Sequence, residues 1–390
     1  MKKRVLIRAP ILTISGYGVH SRQVFEWAMS RDDFEVSTQI LPWGVTPWLI
    51  NSDDKGGLVG EAMNRSMNPT QVPAKFDISF QIQLPNEWDT QVANFNVGIT
   101  AAVETDKCSS SWIDACNKMD LIIVPSQHTK NVLTTSGNLT TPIAVVSESY
   151  YDIIDSPNLM PLDVDFESDF NFLVFGQFTG NNPENDRKNL YYTVKWLCEE
   201  FANDKDVGIV LKVNSGRATK IDKAVTSKTI TQLIEQTRGK NKFPKIYLLH
   251  GNMSDEEIAR MYLHPKIKAM VSLTRGEGFG LPLLEAAASG LPVIATNWSG
   301  HMDFLGLGKF IGVESVLAPI HPSRIDGQIF VEGSRWAHVS EQDAKRKLRK
   351  FYQKSELPTQ WAKALKEKIR KKFCLASIRE DYDRVIKEFV

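Results

Sequence analysis

The chain is 390 residues long, which exceeds the roughly 100 to 200 residues of a typical single core and predicts two domains. Its composition, with 42% hydrophobic and 24% charged residues, is that of an ordinary soluble globular protein. It has no run of about 18 apolar residues to cross a bilayer, and the apolar run in the opening MKKRVLIRAP is too short for a signal peptide, so we expect a cytoplasmic protein.

The net charge of +1 conceals an asymmetry between the two halves of the chain. Residues 1–160 contain 12 Lys and Arg against 17 Asp and Glu, a net charge of −5, and the remainder contains 35 against 29, a net charge of +6. The two halves are therefore expected to meet different partners. The four cysteines form no C-x-x-C pair and no His/Cys cluster with metal-ligand spacing, so we interpret them as reduced thiols.

Short apolar runs alternate with helical spacing through the first half of the chain. RVLIRAP predicts a buried strand that leads, through a turn at Gly16 and Gly18, into a helix. FEVSTQIL, FDISFQI and FNVGITAAV predict further strands, SSWIDACNKM a serine-capped helix, and DLIIVPSQHTKNVLTTSG a strand, a turn and a helix. This alternation predicts a doubly wound α/β domain over residues 1–165.

A second cycle of the same kind starts near residue 170 and predicts a second α/β domain over residues 168–373. Its strands are FNFLVFGQF, VGIVLKVN, KIYLLHG, IKAMVSL and LPVIAT, and its helices are RKNLYYTVKWLCEEF, KTITQLIEQTRG, DEEIARMYLH and GLPLLEAAASG. The acidic, proline-containing stretch before residue 168 is the predicted linker. Two such domains are expected to face each other across a cleft, with ligands at the carboxyl ends of the strands.

The stretch VSLTRGEGFGLPLLEA places a glycine loop between a strand and a helix. Loop N–H groups and the positive end of the helix favour a phosphate, so a carboxylate here needs a different partner. Vicinal sugar hydroxyls supply two donors for the two carboxylate oxygens. We therefore expect Glu277 to bind the hydroxyls of a transferred sugar and Glu285 to bind a ribose. The alternative is a plain strand-to-helix turn with incidental glutamates.

The longer pattern EGFGLPLLEAAASGLPVIAT resembles the E-x7-E signature of retaining glycosyltransferases with the GT-B fold, glycosyltransferase family 4 in particular. The resemblance implies two facing Rossmann-like domains, the first for the acceptor and the second for a nucleotide-sugar donor. It also implies that residues 374–390 form a terminal helix that crosses back to the first domain. The donor contacts that it implies in this stretch are Glu277, Gly278, Phe279, Gly280, Leu281 and Glu285.

The resemblance also implies a set of residues around the donor phosphates. The backbone at Gly16 and Gly18 is expected to approach them, and Lys188 matches the lysine of a basic pair. The arginine that usually accompanies this lysine is Gln177 here, and Arg187 is expected to take its place. Lys212 adds charge at the next strand end, or is a surface lysine that only snorkels.

AVETDKC resembles a segment of one subgroup of that family, although the histidine that relatives often have near it is absent. Glu104 or Asp106 is expected to meet an acceptor hydroxyl, and the alternative is an acid that caps a helix or faces solvent. The D-x-D sequence at residues 163–165 falls in the predicted linker and does not make a convincing manganese motif. We therefore expect no metal requirement, since two basic side chains and a helix end can neutralise the donor charge.

Residues 345–373 form a strongly basic stretch, with 12 basic and 2 acidic residues. Trp361, Leu365, Ile369 and Phe373 recur every fourth residue, which predicts a helix with one apolar stripe and a basic face. The basic face is either simply solvated or contacts a partner. That partner is a nucleic acid, or the inner face of a membrane that carries a lipid-linked acceptor.

The predicted function is that of a retaining, metal-independent glycosyltransferase, and a hexosyltransferase in particular. The predicted donor is a UDP- or GDP-sugar used as a co-substrate, with no bound cofactor. The predicted acceptor hydroxyl belongs to a glycan, a lipid-linked acceptor or a small molecule. One alternative is a viral-type DNA glycosyltransferase, which the basic stretch favours and the acidic first half disfavours. The other alternative is a non-catalytic nucleotide-sugar-binding module.

Overall fold

The structure, a computed structural model, describes residues 2–67, 75–101, 103–238 and 241–389. Internal contacts divide the chain into two compact units. Unit 1 consists of Met1–Ser149, Gly327–Val331 and Leu375–Val390, and unit 2 consists of Tyr150–Asp326 and Glu332–Cys374. Each unit contains one six-stranded sheet. The expected α/β fold with two Rossmann-like sheets is confirmed.

The sheet of unit 1 is parallel throughout, with the strand order β2-β1-β3-β4-β5-β6. Val5, in the centre of the sheet, pairs in register with Val36 on one side and Ile78 on the other, and its side chain is fully buried. Apolar strands of this kind form the core because helices cover both faces of a parallel sheet. The elements are β1 (Lys3–Ala9), α1 (Gly16–Met29), β2 (Phe34–Ile40), α2 (Leu58–Asn64), β3 (Phe76–Ile82), β4 (Ala93–Ile99), α3 (Ser110–Cys116), β5 (Leu121–Val124), α4 (Gln127–Thr135) and β6 (Ile143–Val145).

The sheet of unit 2 is also parallel, with the strand order β12-β11-β10-β7-β8-β9, and an antiparallel hairpin, β13 with β14, follows it. Phe172, Leu211, Val271 and Ile294, from four of its strands, are buried in one core. The elements are β7 (Phe170–Gly176), α5 (Leu190–Glu200), β8 (Val207–Val213), α6 (Lys220–Arg238), β9 (Lys245–Leu249), α7 (Asp255–Tyr262), β10 (Ile267–Ser272), α8 (Leu281–Ser289), β11 (Val293–Thr296), α9 (Met302–Leu305), β12 (Ile311–Val313), β13 (Ser315–Pro319), β14 (Arg335–Val339), α10 (Glu341–Gln353) and α11 (Glu356–Phe373).

The segment between the two sheets belongs to unit 2 from Tyr150 onward, whereas the sequence placed the division at residues 165–168. The backbone N–H of Leu162 donates to the carbonyl of Arg260 at 3.0 Å. The ring of His264 donates to the carbonyl of Val164 at 2.9 Å. These hydrogen bonds hold the connecting segment against α7 and the turn after it.

The C-terminal helix, α12 (Leu375–Phe389), packs in the core of unit 1. The ring of Tyr382 stacks on Trp27 of α1 with 4.9 Å between the centroids, and the Trp27 indole donates to Asp383 at 2.9 Å. The phenol of Tyr382 also lies 3.1 Å from Nε2 of His20. Burial lowers the pKa of His20 to about 4, so this ring is neutral at pH 7.

The basic stretch 345–373 contains two helices rather than the single helix that the sequence predicted. Lys354, with φ −145° and ψ 75°, leaves the helical conformation and ends α10. Several of the basic side chains are paired: Lys345 lies 2.7 Å from Glu199, and Arg349 lies 2.7 Å from Glu200, both on α5. Part of the positive charge therefore fastens α10 to α5. Among the described residues, no helix is both long and apolar enough to span a membrane.

Candidate active site

Glu277 lies on the loop between β10 and α8 and forms a charge cluster with two cations. The amine of Lys188 lies 2.7 Å from Oε1 and 2.8 Å from Oε2 of Glu277. The guanidinium of Arg187 lies 3.4 Å from Oε2 and donates to the carbonyl of Gly276 at 2.8 Å. Burial acts to raise the pKa of Glu277, but the charges of Lys188 and Arg187 outweigh it and bring the pKa to about 2. Glu277 is therefore ionised at neutral pH.

The loop between β7 and α5 positions both cations. Asp186, fully buried, accepts hydrogen bonds from the N–H and the hydroxyl of Thr179 at 3.0 and 2.7 Å, and from the N–H of Leu190 at 2.7 Å. Asn189, with φ 55°, adopts the left-handed conformation and donates to the carbonyl of Leu273 at 2.9 Å. The loop is thus fixed both to α5 and to the end of β10. Gln177, where the resemblance expects an arginine, is exposed, whereas Arg187 lies beside Lys188 and also contacts Glu277.

The backbone of Glu277 is held by the turn after β11. Its N–H donates to the hydroxyl of Ser299 at 2.9 Å, and its carbonyl accepts from the N–H of Gly300 at 2.9 Å. A Cβ at position 300 would lie 2.1 Å from the carbonyl oxygen of Gly278, so only glycine fits there. His301, buried next to this turn, donates from Nε2 to the carbonyl of Thr296 at 2.7 Å. Sequence reasoning missed this role of the turn, which no motif indicates.

The glycine loop leads into α8 as the sequence predicted, but one of its side chains serves a different purpose. Gly280 has φ +106° and is the residue before the first turn of α8, and Leu281 is the first residue of that helix. The ring of Phe279 is buried against Phe304 and Phe373, with centroids 5.3 and 6.3 Å away. Only the backbone of Phe279 is therefore available for the expected donor contact, because its side chain belongs to the core.

Glu285 lies one turn into α8 and is 3% exposed. Its Oε2 accepts a hydrogen bond from the phenol of Tyr262, on α7, at 3.0 Å. Burial and the negative charge of Glu285 raise the pKa of Tyr262 well above its usual value, so the phenol stays protonated and donates. Tyr262 was missed from sequence because its helical spacing indicates only a core residue.

Lys212, near the end of β8, is not a snorkelling surface lysine. It is 3% exposed, and its amine donates to the carbonyl of Gly251 at 2.6 Å and to Oδ1 of Asn214 at 2.9 Å. The same Oδ1 accepts from the N–H of Gly251 at 3.0 Å. Burial lowers the pKa of Lys212 to about 8. Lys212 and Asn214 thus hold the turn after β9, where His250 also lies.

Arg275, two residues before Glu277, was not singled out from sequence. Its guanidinium lies over the rings of Trp336 and Tyr192, at 5.3 and 5.9 Å from their centroids, and the side chain is buried. Its carbonyl accepts from the N–H of Ala337 on β14 at 2.9 Å, and its N–H donates to the carbonyl of Arg187 at 2.9 Å. Arg275 therefore ties the hairpin to the segment that carries the two cations.

The two glycines expected near the donor phosphates belong to unit 1 and lie in the first turn of α1, not in a turn before it. Ser15 caps this helix by accepting from the N–H of Gly18 at 3.0 Å, and the cap explains the early start. A Cβ at Gly18 would lie 2.0 Å from the carbonyl oxygen of Thr13, whereas a Cβ at Gly16 would meet no atom within 4 Å. Gly18 is thus required by packing, and Gly16 leaves an open approach to the backbone.

Glu104 lies after β4 in unit 1 and is half-buried. The phenol of Tyr17 lies 3.0 Å from the hydroxyl of Thr100 and accepts from the N–H of Ala101 at 3.1 Å. Burial, together with the nearby charge of Glu104, raises the pKa of Tyr17. Glu104 therefore shares the carboxyl edge of this sheet with Tyr17. Across the described ranges, no group of three or more His, Cys, Asp or Glu residues is placed to hold a metal ion.

Comparison with known proteins supports the resemblance on which these assignments draw. Residues 225–318 match the family model of the glycosyl transferases group 1, a range that includes Glu277 and Glu285. A segment of 65 residues is 40% identical to the serotype-specific mannosyltransferase WbdA of Escherichia coli. That segment covers 17% of this chain and 8% of WbdA, so this chain matches only a small part of that protein's length.

Solved structures share the fold over nearly the whole chain. A glycosyltransferase from Rickettsia africae is 16% identical, with a TM-score of 0.66 over 100% of this chain and 98% of that one. The Anabaena protein HepE, solved with UDP and glucose, is 14% identical, with a TM-score of 0.59 over 99% and 100% of the two chains. At these identities the similarity establishes the fold alone, with its two six-stranded parallel sheets.

Proposed function

We propose that this chain, which resembles the glycosyl transferases group 1 over residues 225–318, is a retaining glycosyltransferase that uses a nucleotide-diphosphate sugar. The observation that carries the proposal is the cluster of Lys188, Arg187 and Glu277 at the carboxyl ends of β7 and β10. Ligands of open α/β sheets bind at such strand ends. Two cations suit the phosphates of a nucleotide-sugar donor, and the ionised carboxylate beside them suits its sugar hydroxyls.

Glu277 binds the transferred sugar in this proposal and does not act as a general base. A carboxylate with a pKa of about 2 is a weak proton acceptor at neutral pH, because general bases work best with a pKa near the working pH. Its two oxygens remain able to accept hydrogen bonds from hydroxyl groups. The buried carboxylate of Glu285 binds the ribose in the same way, next to the phenol of Tyr262.

Lys188 and Arg187 stabilise the leaving diphosphate. Both cations lie against Glu277, so the charges that a diphosphate would meet are already positioned. The acceptor hydroxyl attacks from the face that the diphosphate leaves, and a donor phosphate oxygen takes its proton. The acceleration then comes from fixed charges and positioning, without a metal ion. On the acceptor side, Glu104 of unit 1 orients the hydroxyl, and Gly16 brings backbone to the phosphates.

The names and ligands of similar proteins indicate which nucleotide sugars to test as donors. WbdA is a mannosyltransferase by name, and HepE was solved with UDP and glucose. We therefore propose a UDP- or GDP-hexose donor and a hydroxyl acceptor. Thermal unfolding with UDP, GDP, ADP and their hexose conjugates tests this directly, since a ligand of the folded state raises the melting temperature. A shift with none of these nucleotides would contradict the proposal.

Glu277→Ala tests the catalytic assignment once the donor is known. Turnover should fall at least about tenfold, which corresponds to roughly 1.4 kcal/mol in the barrier. The matched control is Glu256→Gln, a change at an exposed glutamate of α7 whose side chain is 59% exposed. Steady-state kinetics with both variants, and circular dichroism to verify folding, complete the experiment. Normal turnover in a folded Glu277→Ala variant would show that the catalytic assignment of Glu277 is wrong.

A further inference from the structure

The segment after β2, residues 41–50, presents a half-buried tryptophan on an aromatic stack. The ring of Trp43 stacks on Tyr17 with 3.8 Å between the centroids and 19° between the planes. Tyr17 covers one face of the indole, and part of the Trp43 side chain remains exposed to solvent. Trp48, in the same segment, is 41% exposed. Two accessible indoles in ten residues need an explanation beyond the packing of unit 1.

The conformation of this segment is fixed before any ligand binds. The N–H of Ile14 donates to the carbonyl of Pro47 at 2.9 Å, and the N–H of Leu49 donates to the carbonyl of Leu12 at 2.7 Å. The turn itself is closed by the hydroxyl of Thr46, which donates to the carbonyl of Trp43 at 2.8 Å. The indole of Trp43 is therefore held in place, which lowers the entropy lost when a ligand stacks on it.

The stack stands next to the carboxylate expected at the acceptor. Tyr17, beneath Trp43, holds the end of β4 through Thr100 and Ala101, and its pKa is raised by burial and then by the charge of Glu104. Trp43 follows β2 and Glu104 follows β4, so an aromatic ring and a carboxylate both lie at the carboxyl edge of the sheet of unit 1, where ligands of such sheets bind. This combination suits a pyranose, whose C–H face stacks on an electron-rich ring while its hydroxyls donate to carboxylates.

We propose that residues 41–50 form an acceptor subsite and that the acceptor is a saccharide whose pyranose ring stacks on Trp43. The inference rests on the proposed glycosyl transfer, because it names the substrate that unit 1 supplies. Trp48 offers a second ring for the next sugar of an oligosaccharide. The acidic balance of residues 1–160, net −5, disfavours an anionic lipid surface at this patch even though Val45 and Ile50 are 67% and 79% exposed.

A printed oligosaccharide array, probed with the full-length protein in the absence of donor, tests the subsite. The wild-type protein should retain at least one oligosaccharide. Calorimetry with the best-retained one should then show binding that is weaker by at least about tenfold in Trp43→Ala and close to wild type in Trp43→Phe, which keeps a ring on Tyr17. Met63→Ser is the matched control, since it removes an exposed apolar side chain of α2, outside residues 41–50, and should leave the affinity unchanged.

Three results would overturn the proposal: no oligosaccharide retained, equal retention by Trp43→Ala, or binding to neutral lipid vesicles that Val45→Ser together with Ile50→Ser abolishes while no saccharide binds. The last result would assign the patch to a membrane. Because the array needs no donor, its outcome is independent of the nucleotide shift. If a nucleotide raises the melting temperature but the array retains no saccharide, the proposed function stands and the acceptor subsite is wrong.

Discussion

The contacts of Lys188 and Arg187 with Glu277 balance charge within the glycine loop. Two cations side by side repel each other, and the carboxylate of Glu277 offsets this repulsion. In the proposed function, a donor diphosphate brings negative charge to the same cations, and the oxygens of Glu277 then accept hydrogen bonds from sugar hydroxyls. We infer that the ionised state of Glu277, not its basicity, is what the site requires.

Sequence reasoning reached Glu277 from its place in a glycine loop. It reached Lys188 and Arg187 only through the family resemblance of the segment that contains them. It missed Ser299 and Tyr262 because their contacts to Glu277 and Glu285 join segments more than 20 residues apart. The resemblance also implied a donor contact at Phe279, and no local pattern in the sequence indicates that this ring packs against Phe304 and Phe373.

Lys212 gives a prediction about pH. Its pKa of about 8 in the folded protein lies below the 10.5 of a free lysine, so the unfolded chain binds more protons between these two values. Stability contributed by this group therefore rises as pH increases from about 8 to about 10.5 and is lost as pH falls through 8. Urea unfolding should show that the free energy of unfolding of the wild-type protein, relative to that of Lys212→Met, is larger at pH 9.5 than at pH 7.

The control for this measurement is Lys363→Met, which removes an exposed lysine of α11. Wild-type protein and Lys363→Met should show the same change of unfolding free energy between the two pH values. If Lys212→Met follows that same pH dependence, the amine of Lys212 is not desolvated in the folded protein, and its role in holding Gly251 is wrong.

At the scale of elements, strands were predicted well where a short, bounded apolar pattern marks them, and they were missed where no such pattern or turn signal is present. FDISFQI coincides with β3, because its apolar residues alternate with polar ones at the two-residue period of a strand. The hairpin of β13 and β14 was missed because its strands are separated by 15 residues and have no short turn signal between them. The break between α10 and α11 was missed because Lys354 and Ser355 belong to an otherwise helical, basic pattern.

Gly300 provides a test of how two elements fix the catalytic loop. In Gly300→Ala the new Cβ would lie 2.1 Å from the carbonyl oxygen of Gly278, and this atom is backbone that cannot rotate away. Overpacking of this kind costs about 1 to 3 kcal/mol, so the melting temperature should fall by several degrees. The displaced loop should also weaken the thermal shift that the donor nucleotide produces.

Gly176→Ala is the matched control in the same unit, since its Cβ would meet only a side-chain methyl of Leu190 at an ordinary 3.5 Å. Differential scanning calorimetry of both variants, with and without nucleotide, gives the comparison. If Gly300→Ala melts and binds like the wild-type protein, the turn after β11 does not pack against the glycine loop as described.

At the scale of the whole molecule, the two-sheet α/β fold could be predicted because alternation of strands and helices is a local property repeated along the chain. Which segments belong to each unit could not be predicted from amino-acid composition or residue spacing. Unit 1 includes Gly327–Val331, which lies between the two strands of a hairpin of unit 2. No local pattern in that segment distinguishes it from its neighbours, since its assignment depends on contacts with residues more than a hundred positions away.

The core of unit 1 is completed by α12, and this contribution can be tested by truncation. The helix buries Ile378, Tyr382, Val385 and Ile386 in that core. At about 1.5 to 3 kcal/mol for each buried large side chain, their loss is comparable to the roughly 5 to 15 kcal/mol that stabilises a domain. A chain that ends at Cys374 should therefore retain a folded unit 2, which has a separate core, and lose the native packing of unit 1. Hydrogen exchange followed by mass spectrometry should show β1 and β3 exchanging rapidly, while β7 and β10 keep their protection.

A shorter truncation that removes only residues 387–390 leaves Ile378, Tyr382, Val385 and Ile386 in place and should exchange like the wild-type protein. Protection of β1 and β3 in the longer truncation would mean that the sheet of unit 1 is stable without α12, and that Tyr382 and its neighbours only cover Trp27.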